Sequence, residues 1–172
     1  SMSFLHTRGR KVSSEAVLPR KLVRRGLGTT PERVCDYWRM SFVGGVQSGS
    51  IGVSGHIANG LTALFLACGQ DVACVSEAAV GLTGMELTGG GDLYCSVPLP
   101  TLIVGTGGGG PRLPTARECL ALMGCDGPDR AARLAEICGA VALAGEISII
   151  GALASGDFAD AHARLGRPRT AP

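Results

Sequence analysis

The 172-residue chain is 45% apolar and 17% charged, which excludes a disordered polypeptide and leaves enough length for one domain with its own core. Its net charge of +2 is too small to argue for nucleic acid, and the basic run from Arg8 to Arg25 reads as a solvated helix face sooner than as a basic patch. The seven cysteines form no C-x-x-C pair and no zinc spacing, so they read as buried free thiols in a reducing cytoplasm.

Ser1-Met2 reads as a tag scar before a start codon, and residues 1–8 are set apart as a tag or disordered start. Residues 11–18, KVSSEAVL, predict a strand, and Pro19 opens a short helix to about Arg25. The Thr29-x-x-Glu32 spacing predicts a capping box, with Pro31 in the first turn of a helix reaching about Phe42. Gly44-Gly45 then ends or bends that helix. Glycine and serine punctuate QSGSIGVSG before a largely buried helix from Ser54 to Cys68. Residues 80–86 and 93–104 alternate loosely about LTGGGD, which predicts a β-hairpin. Thr115-x-x-Glu118 predicts a second capping box and a short helix to Met123. Pro128 opens the longest apolar run, to about Ala154. Glu146 at its centre argues against a membrane span and for a buried core helix. Gly156 breaks the run, residues 157–165 form a last helix, and residues 168–172 are a tail. No repeat or linker divides residues 9–167. The expected fold is one α+β domain, a long buried central helix with a short antiparallel sheet and surrounding helices.

Three motifs carry chemistry. GTGGGGPRLP follows a strand and precedes a helix, so its bare backbone at Gly107, Gly108 and Gly109 could face an anion. The preceding strand belongs to a hairpin and not to a βαβ unit, which argues against a dinucleotide domain and leaves a tight strand-to-helix turn as the other reading. Serines 50 and 54 lack the G-x-S-x-G spacing of a nucleophile elbow. Of three histidines, His6, His56 and His162, the last lies four residues after Phe158 on a short helix, where its ring can reach outward as a general acid or simply be exposed. His56 and Asn59 share a helix face at the start of the apolar helix, and Asp71 lies fifteen residues beyond His56. Those two ends cannot touch one small group on a straight helix. Asp71 would also sit where a helix dipole disfavours an anion, either for a functional reason or as a solvated end.

The runs EAVLPRK, FVGGVQSGSIG, GHIANGLTALFLACGQD, GDLYCSVPLPTLIVGTGGGGPRLPTARECLALMGC and GEISIIGALASGDFADAH, in this order, resemble the C-terminal part of the catalytic domain of class I 3-hydroxy-3-methylglutaryl-coenzyme A reductases. The resemblance covers about Gly9 to Arg167. It implies that Asp71 is the catalytic aspartate and His162 the histidine that protonates the departing coenzyme A thiolate. It implies that His56 and Asn59 are a substrate-pocket pair and that Lys21 binds the substrate carboxylate. Ile149, Ala152 and Leu153 match an apolar panel at the pocket wall. The family works as dimers with active sites at subunit interfaces.

Several departures accompany the resemblance. The family's catalytic glutamate, its D-K-K-type lysine loop and its D-A-M-G-M-N-type nicotinamide motif have no counterpart in these residues. VACVSEAAVG replaces a polar run after Asp71, which predicts a drier setting for that carboxyl, and the glycine loop carries Gly107 and Pro111 as substitutions. The leading expectation is a truncated reductase-like domain acting as a redox-neutral acid–base enzyme, of cyclase, isomerase or lyase type, in secondary metabolism. It would bind a carboxylated or acyl substrate using Asp71 and His162. The alternatives are the C-terminal half of a split reductase, or a non-catalytic binding or regulatory relic. No cofactor is expected for the isolated chain, and NADPH only if a partner chain supplies the missing domain. A homodimer or larger assembly in the cytoplasm is expected, with a possible N-terminal-half partner chain and neither nucleic acid nor membrane.

Overall fold

The computed structural model describes residues 8–165. His6, Ser1-Met2 and the tail expected at residues 168–172 lie outside the described residues. Three strands, β1 (Arg10–Leu18), β2 (Gly84–Leu87) and β3 (Leu93–Leu102), form one antiparallel sheet in the order β1-β3-β2. The helices are α1 (Arg20–Leu27), α2 (Pro31–Gln47), α3 (Ile57–Ala67), α4 (Val75–Ala78), α5 (Pro114–Leu122), α6 (Ala131–Ser155) and α7 (Asp157–Leu165). The fold is α+β with a long central helix, as the pattern of elements predicts.

The expected hairpin forms. Thr88 and Asp92 close its turn, with the Asp92 amide also bonded to the Thr88 hydroxyl at 3.0 Å. Alternate residues of β3, namely Leu93, Cys95, Val97 and Leu99, are buried, so one face of the sheet lies on the core. Against it runs α6, which packs on β1, β3, α3, α2 and α1. Glycines at 139, 145 and 151 explain how one helix receives so many neighbours. At about 100° per residue, a spacing of six turns each glycine by about 240° from the last, so the three point to three sides. A Cβ on Gly139 would lie 2.5 Å from the Ser14 hydroxyl of β1, one on Gly145 would strike His56, and one on Gly151 would crowd Leu27 of α1 at 3.1 Å. By length and composition α6 could cross a membrane, but here it is the core helix.

Element ends differ from the sequence expectation for identifiable reasons. Helix α2 does not stop at Gly44-Gly45. It continues to Gln47, with Gly45 lying where its Cβ would press on Val53 at 3.0 Å. Its cap is Thr30 and not Thr29, because Pro31 holds the residue before it extended. Glu32 closes no capping box with Thr29 and pairs with Arg20 of α1 instead. Helix α5 starts directly at Pro114, with Leu113 as its uncapped predecessor, so no box forms at Thr115. Helix α6 begins at Ala131, later than Pro128, after Gly127 and Asp129 take left-handed backbone. Strand β2 is confined to Gly84–Leu87, because the residues before it pair outside the sheet: the Val53 amide donates to the Gly81 carbonyl and the Thr83 amide to the Val53 carbonyl, in an isolated parallel bridge between Val53 and Leu82. Helix α3 starts at Ile57 and not at Ser54, and it is buried on one face only. Ile57, Leu61 and Phe65 are inside, while Asn59 and Leu66 are exposed.

Candidate functional site

The N-terminus of α3 is built around Glu146. This carboxylate is fully buried at the middle of α6, a costly position unless it is fully hydrogen-bonded. Four donors satisfy it. The Gly55 amide reaches both oxygens at 2.9 and 3.0 Å, the His56 amide donates at 2.5 Å and the Ile57 amide at 3.1 Å. The Thr83 hydroxyl donates at 2.8 Å. Three successive amides at a helix start face one anion, which both caps them and complements the helix dipole. Each buried donor left unpaired by its loss would cost about 1–3 kcal/mol.

His56 sits on this cap, half-buried, with its side chain making no capping bond of its own. Its imidazole lies along Gly145 and Gly60. Ile149 packs against Gly55 one residue earlier, within 2.9 Å of where a Cβ would stand. Beside them is a cavity of about 250 Å³, lined by Trp38, Ser54, Gly55, Thr83, Glu146 and Leu153 among others. The Trp38 indole donates to the Thr83 carbonyl at 2.5 Å and closes one wall. The structure places Ile149 against Gly55, the residue before His56, and Leu153 on the wall of this cavity, while His56 itself faces Gly60 and Gly145. Asn59 is one turn along α3 and exposed, and Ala152 is half-buried beside Leu153 in sequence.

The other end of α3 holds Asp71, about 16 Å away along the eleven residues of the helix. Asp71 is not the last residue of a helix. The chain leaves α3 at Ala67, turns at Gly69 with φ +64°, and Asp71 caps the next turn, accepting from the Ala73 amide at 3.0 Å. The dipole at Asp71 is thus favourable. Asp71 is also exposed, so the drier setting expected from VACVSEAAVG is absent: that segment folds into a short turn and α4. Gln70 joins Asp71 to the glycine-rich loop. Its amide nitrogen donates to the Gly105 carbonyl at 2.9 Å, and its oxygen accepts from the Gly105 amide at 2.8 Å. Gly69 and Gly110 meet backbone to backbone, so that a Cβ on either would lie within 2.3 Å of the other's carbonyl oxygen.

Lys21 and His162 stand apart. Lys21 is exposed on α1, lining a surface groove with Pro19, Leu22, Arg25 and Gly26. His162 is exposed on α7, stacked on Phe158 with ring centroids 4.1 Å apart. The Phe158 carbonyl lies 3.0 Å from Nδ1 and can only accept, so Nδ1 carries a proton there and Nε2 is the ring atom available for proton transfer. Among the described residues no hydrogen bond, ion pair or ring contact joins Asp71 to His162.

Gly107, Gly108 and Gly109 are exposed, and Gly107 lines an open surface cavity with Thr106, Arg112 and Arg117. No group of three or more metal-ligating side chains occurs among the described residues. All seven cysteines are free thiols, and burial pushes Cys95 and Cys138 up to about 12, which makes them packing residues and not nucleophiles. Sequence reasoning missed Gly145, the pairing of Gln70 with Gly105 and the capping role of Glu146. The one available signal was a carboxylate inside an apolar helix, a residue seldom buried without partners.

Comparison with known proteins places these motifs. The sequence profile described as hydroxymethylglutaryl-coenzyme A reductase matches residues 1–167. The 3-hydroxy-3-methylglutaryl-coenzyme A reductase of Pyrococcus horikoshii is 44% identical over 174 residues, covering 97% of this chain and 42% of the relative. That of Methanocaldococcus jannaschii is 42% identical over 167 residues, covering 96% of this chain and 41% of the relative. That of the fungus Ganoderma lucidum is 39% identical over 171 residues, covering 94% of this chain and 14% of the relative. The chain thus spans less than half the length of these relatives. It belongs to the hydroxymethylglutaryl-coenzyme A reductase family.

Proposed function

We propose that this chain is the acyl-binding and proton-handling part of a 3-hydroxy-3-methylglutaryl-coenzyme A reductase unit. The hydride donor's site and the electrophile would come from residues outside this sequence. The observation that carries this reading is the extent of the match: nearly the whole chain aligns with less than half of proteins that are all reductases by name. It favours a reductase portion completed by a partner segment over the redox-neutral cyclase, isomerase or lyase expected from the sequence, and over a relic.

In this reading His56 and Asn59 bind the acyl portion beside Ile149, Ala152 and Leu153, and Lys21 takes the terminal carboxylate. His162 offers a proton from Nε2 to the leaving thiolate while Nδ1 stays bonded to Phe158. Asp71, held beside the glycine loop by Gln70, supplies the carboxyl at the far end of α3. NADPH would enter only with the completing segment. The separation of the two ends of α3 fits sites assembled between subunits, with a small-molecule substrate at the interface. The free thiols and the burial of Glu146 in α6 favour a cytoplasmic domain over a membrane one. Calorimetry with 3-hydroxy-3-methylglutaryl-coenzyme A tests the reading. His56→Ala and Lys21→Ala are expected to weaken binding tenfold or more, roughly the loss of one charge-assisted contact. Equal affinity in wild type and both variants would contradict it.

A further inference from the structure

We propose that Gly145 and Glu146, adjacent on α6, are positioning residues that together set the orientation of His56. The proposal rests on the reading of His56 as a substrate-binding residue, but its geometry stands independently. Two neighbouring residues of one helix hold two different parts of the histidine. Glu146 fixes the backbone, accepting the His56 amide at 2.5 Å between those of Gly55 and Ile57. Gly145 fixes the ring. A Cβ there would lie 1.8 Å from Cδ2 and 2.5 Å from Cγ of His56, so the imidazole occupies the space that any other residue would fill. Gly60, one turn along α3, also borders the ring, with a Cβ there falling 3.0 Å from Nε2 and 3.2 Å from Cδ2.

The consequence is specific to the ring. A histidine at a helix start is ordinarily free to choose among staggered χ1 rotamers. Here the notch on α6 admits the imidazole, and the carboxylate forbids the backbone from shifting to compensate. The orientation of His56 is therefore written into the α3–α6 contact. Alanine is a better helix residue than glycine, so Gly145→Ala should leave α6 itself intact while evicting the ring.

The test is histidine-ring NMR on the full chain, with the three histidines assigned by single substitution. Gly145→Ala is expected to shift the His56 ring resonances and leave those of His162 in place. Gly60→Ala, whose clash is milder, should shift the same resonances less, and Glu146→Gln should shift them through the backbone. Should Gly145→Ala fail to fold, the other two variants still decide the matter. Binding of 3-hydroxy-3-methylglutarate then separates the two claims. If Gly145 acts through His56, the double variant with His56→Ala binds no worse than His56→Ala alone. His56 resonances unmoved in all the folded variants, or additive losses in the double variant, would overturn the proposal. If His56→Ala leaves binding unchanged while the resonances move as expected, the seat stands and the substrate role of His56 falls.

Discussion

Gln70 exchanges two hydrogen bonds with the backbone of Gly105, as neighbouring strands exchange them, and so ties Asp71 to the glycine-rich loop. Each bond is worth about 0.5–1.5 kcal/mol net, so Gln70→Ala should destabilise the fold by about 1–3 kcal/mol. It should also release the Gly105 amide to hydrogen exchange ahead of the core. Urea unfolding with exchange read by NMR checks both effects, and a Gly105 amide as protected as in the wild type would show that other contacts hold the loop. The motif CGQD was legible as a unit in the sequence, yet what Gln70 does was not. Its partner lies 35 residues away in a loop of different composition, and a single amide leaves no periodic trace. The same holds for Glu146, whose partners lie as many as 91 residues back along the chain. Composition could say only that a carboxylate there needs partners.

Local signals did better at the level of elements. The alternation of β3, the glycine turn at Thr88–Asp92 and the apolar run of α6 are short-range patterns, and each became the element they predict. Helix ends were read less well, because a cap can come from elsewhere: Glu146 caps α3, and Pro31 and Pro114 decide the starts of α2 and α5. The freed Glu32 makes a link between elements. Its carboxylate takes both guanidinium nitrogens of Arg20, fastening α1 to α2, while the Arg20 amide bonds Asp92 at 2.8 Å. The hydrogen bond from Arg20, helped by a backbone hydrogen bond, holds Glu32 well below its usual 4.5, at about 2. A carboxylate with a depressed folded-state value stabilises the fold above its ordinary value, and that contribution is lost as pH falls through the folded one. Glu32→Gln should therefore be less stable than wild type at pH 7, with the gap shrinking as pH falls from 4.5 and closing near 2. Denaturant midpoints across that range measure it. The pair is partly exposed, so added salt should narrow the gap at pH 7.

For the molecule as a whole, the apolar residues that remain outside are informative. Met40, Val43 and Val46 recur along α2 and are 64%, 54% and 59% exposed, and Ile51 follows at 64%. Such a strip is larger than isolated surface residues need explain and fits contact with a second copy or with the segment proposed above to complete a reductase unit. Light scattering at micromolar concentration is expected to give a dimer or larger species, and Val43→Glu is expected to shift it toward monomer. A monomer in the wild type would leave only the completing segment to cover the strip. The central claim is that this chain supplies the acyl-binding and proton-handling part of a reductase. Its most direct test is to fuse the chain to the portion of the Pyrococcus horikoshii relative that it leaves unmatched, and to follow NADPH oxidation with 3-hydroxy-3-methylglutaryl-coenzyme A. The chain alone should show no substrate-dependent oxidation, the fusion should turn over, and Asp71→Asn and His162→Ala should each lower the rate by about 10²–10⁴. A folded, assembled fusion with no turnover, or one in which both variants keep full activity, would contradict the account.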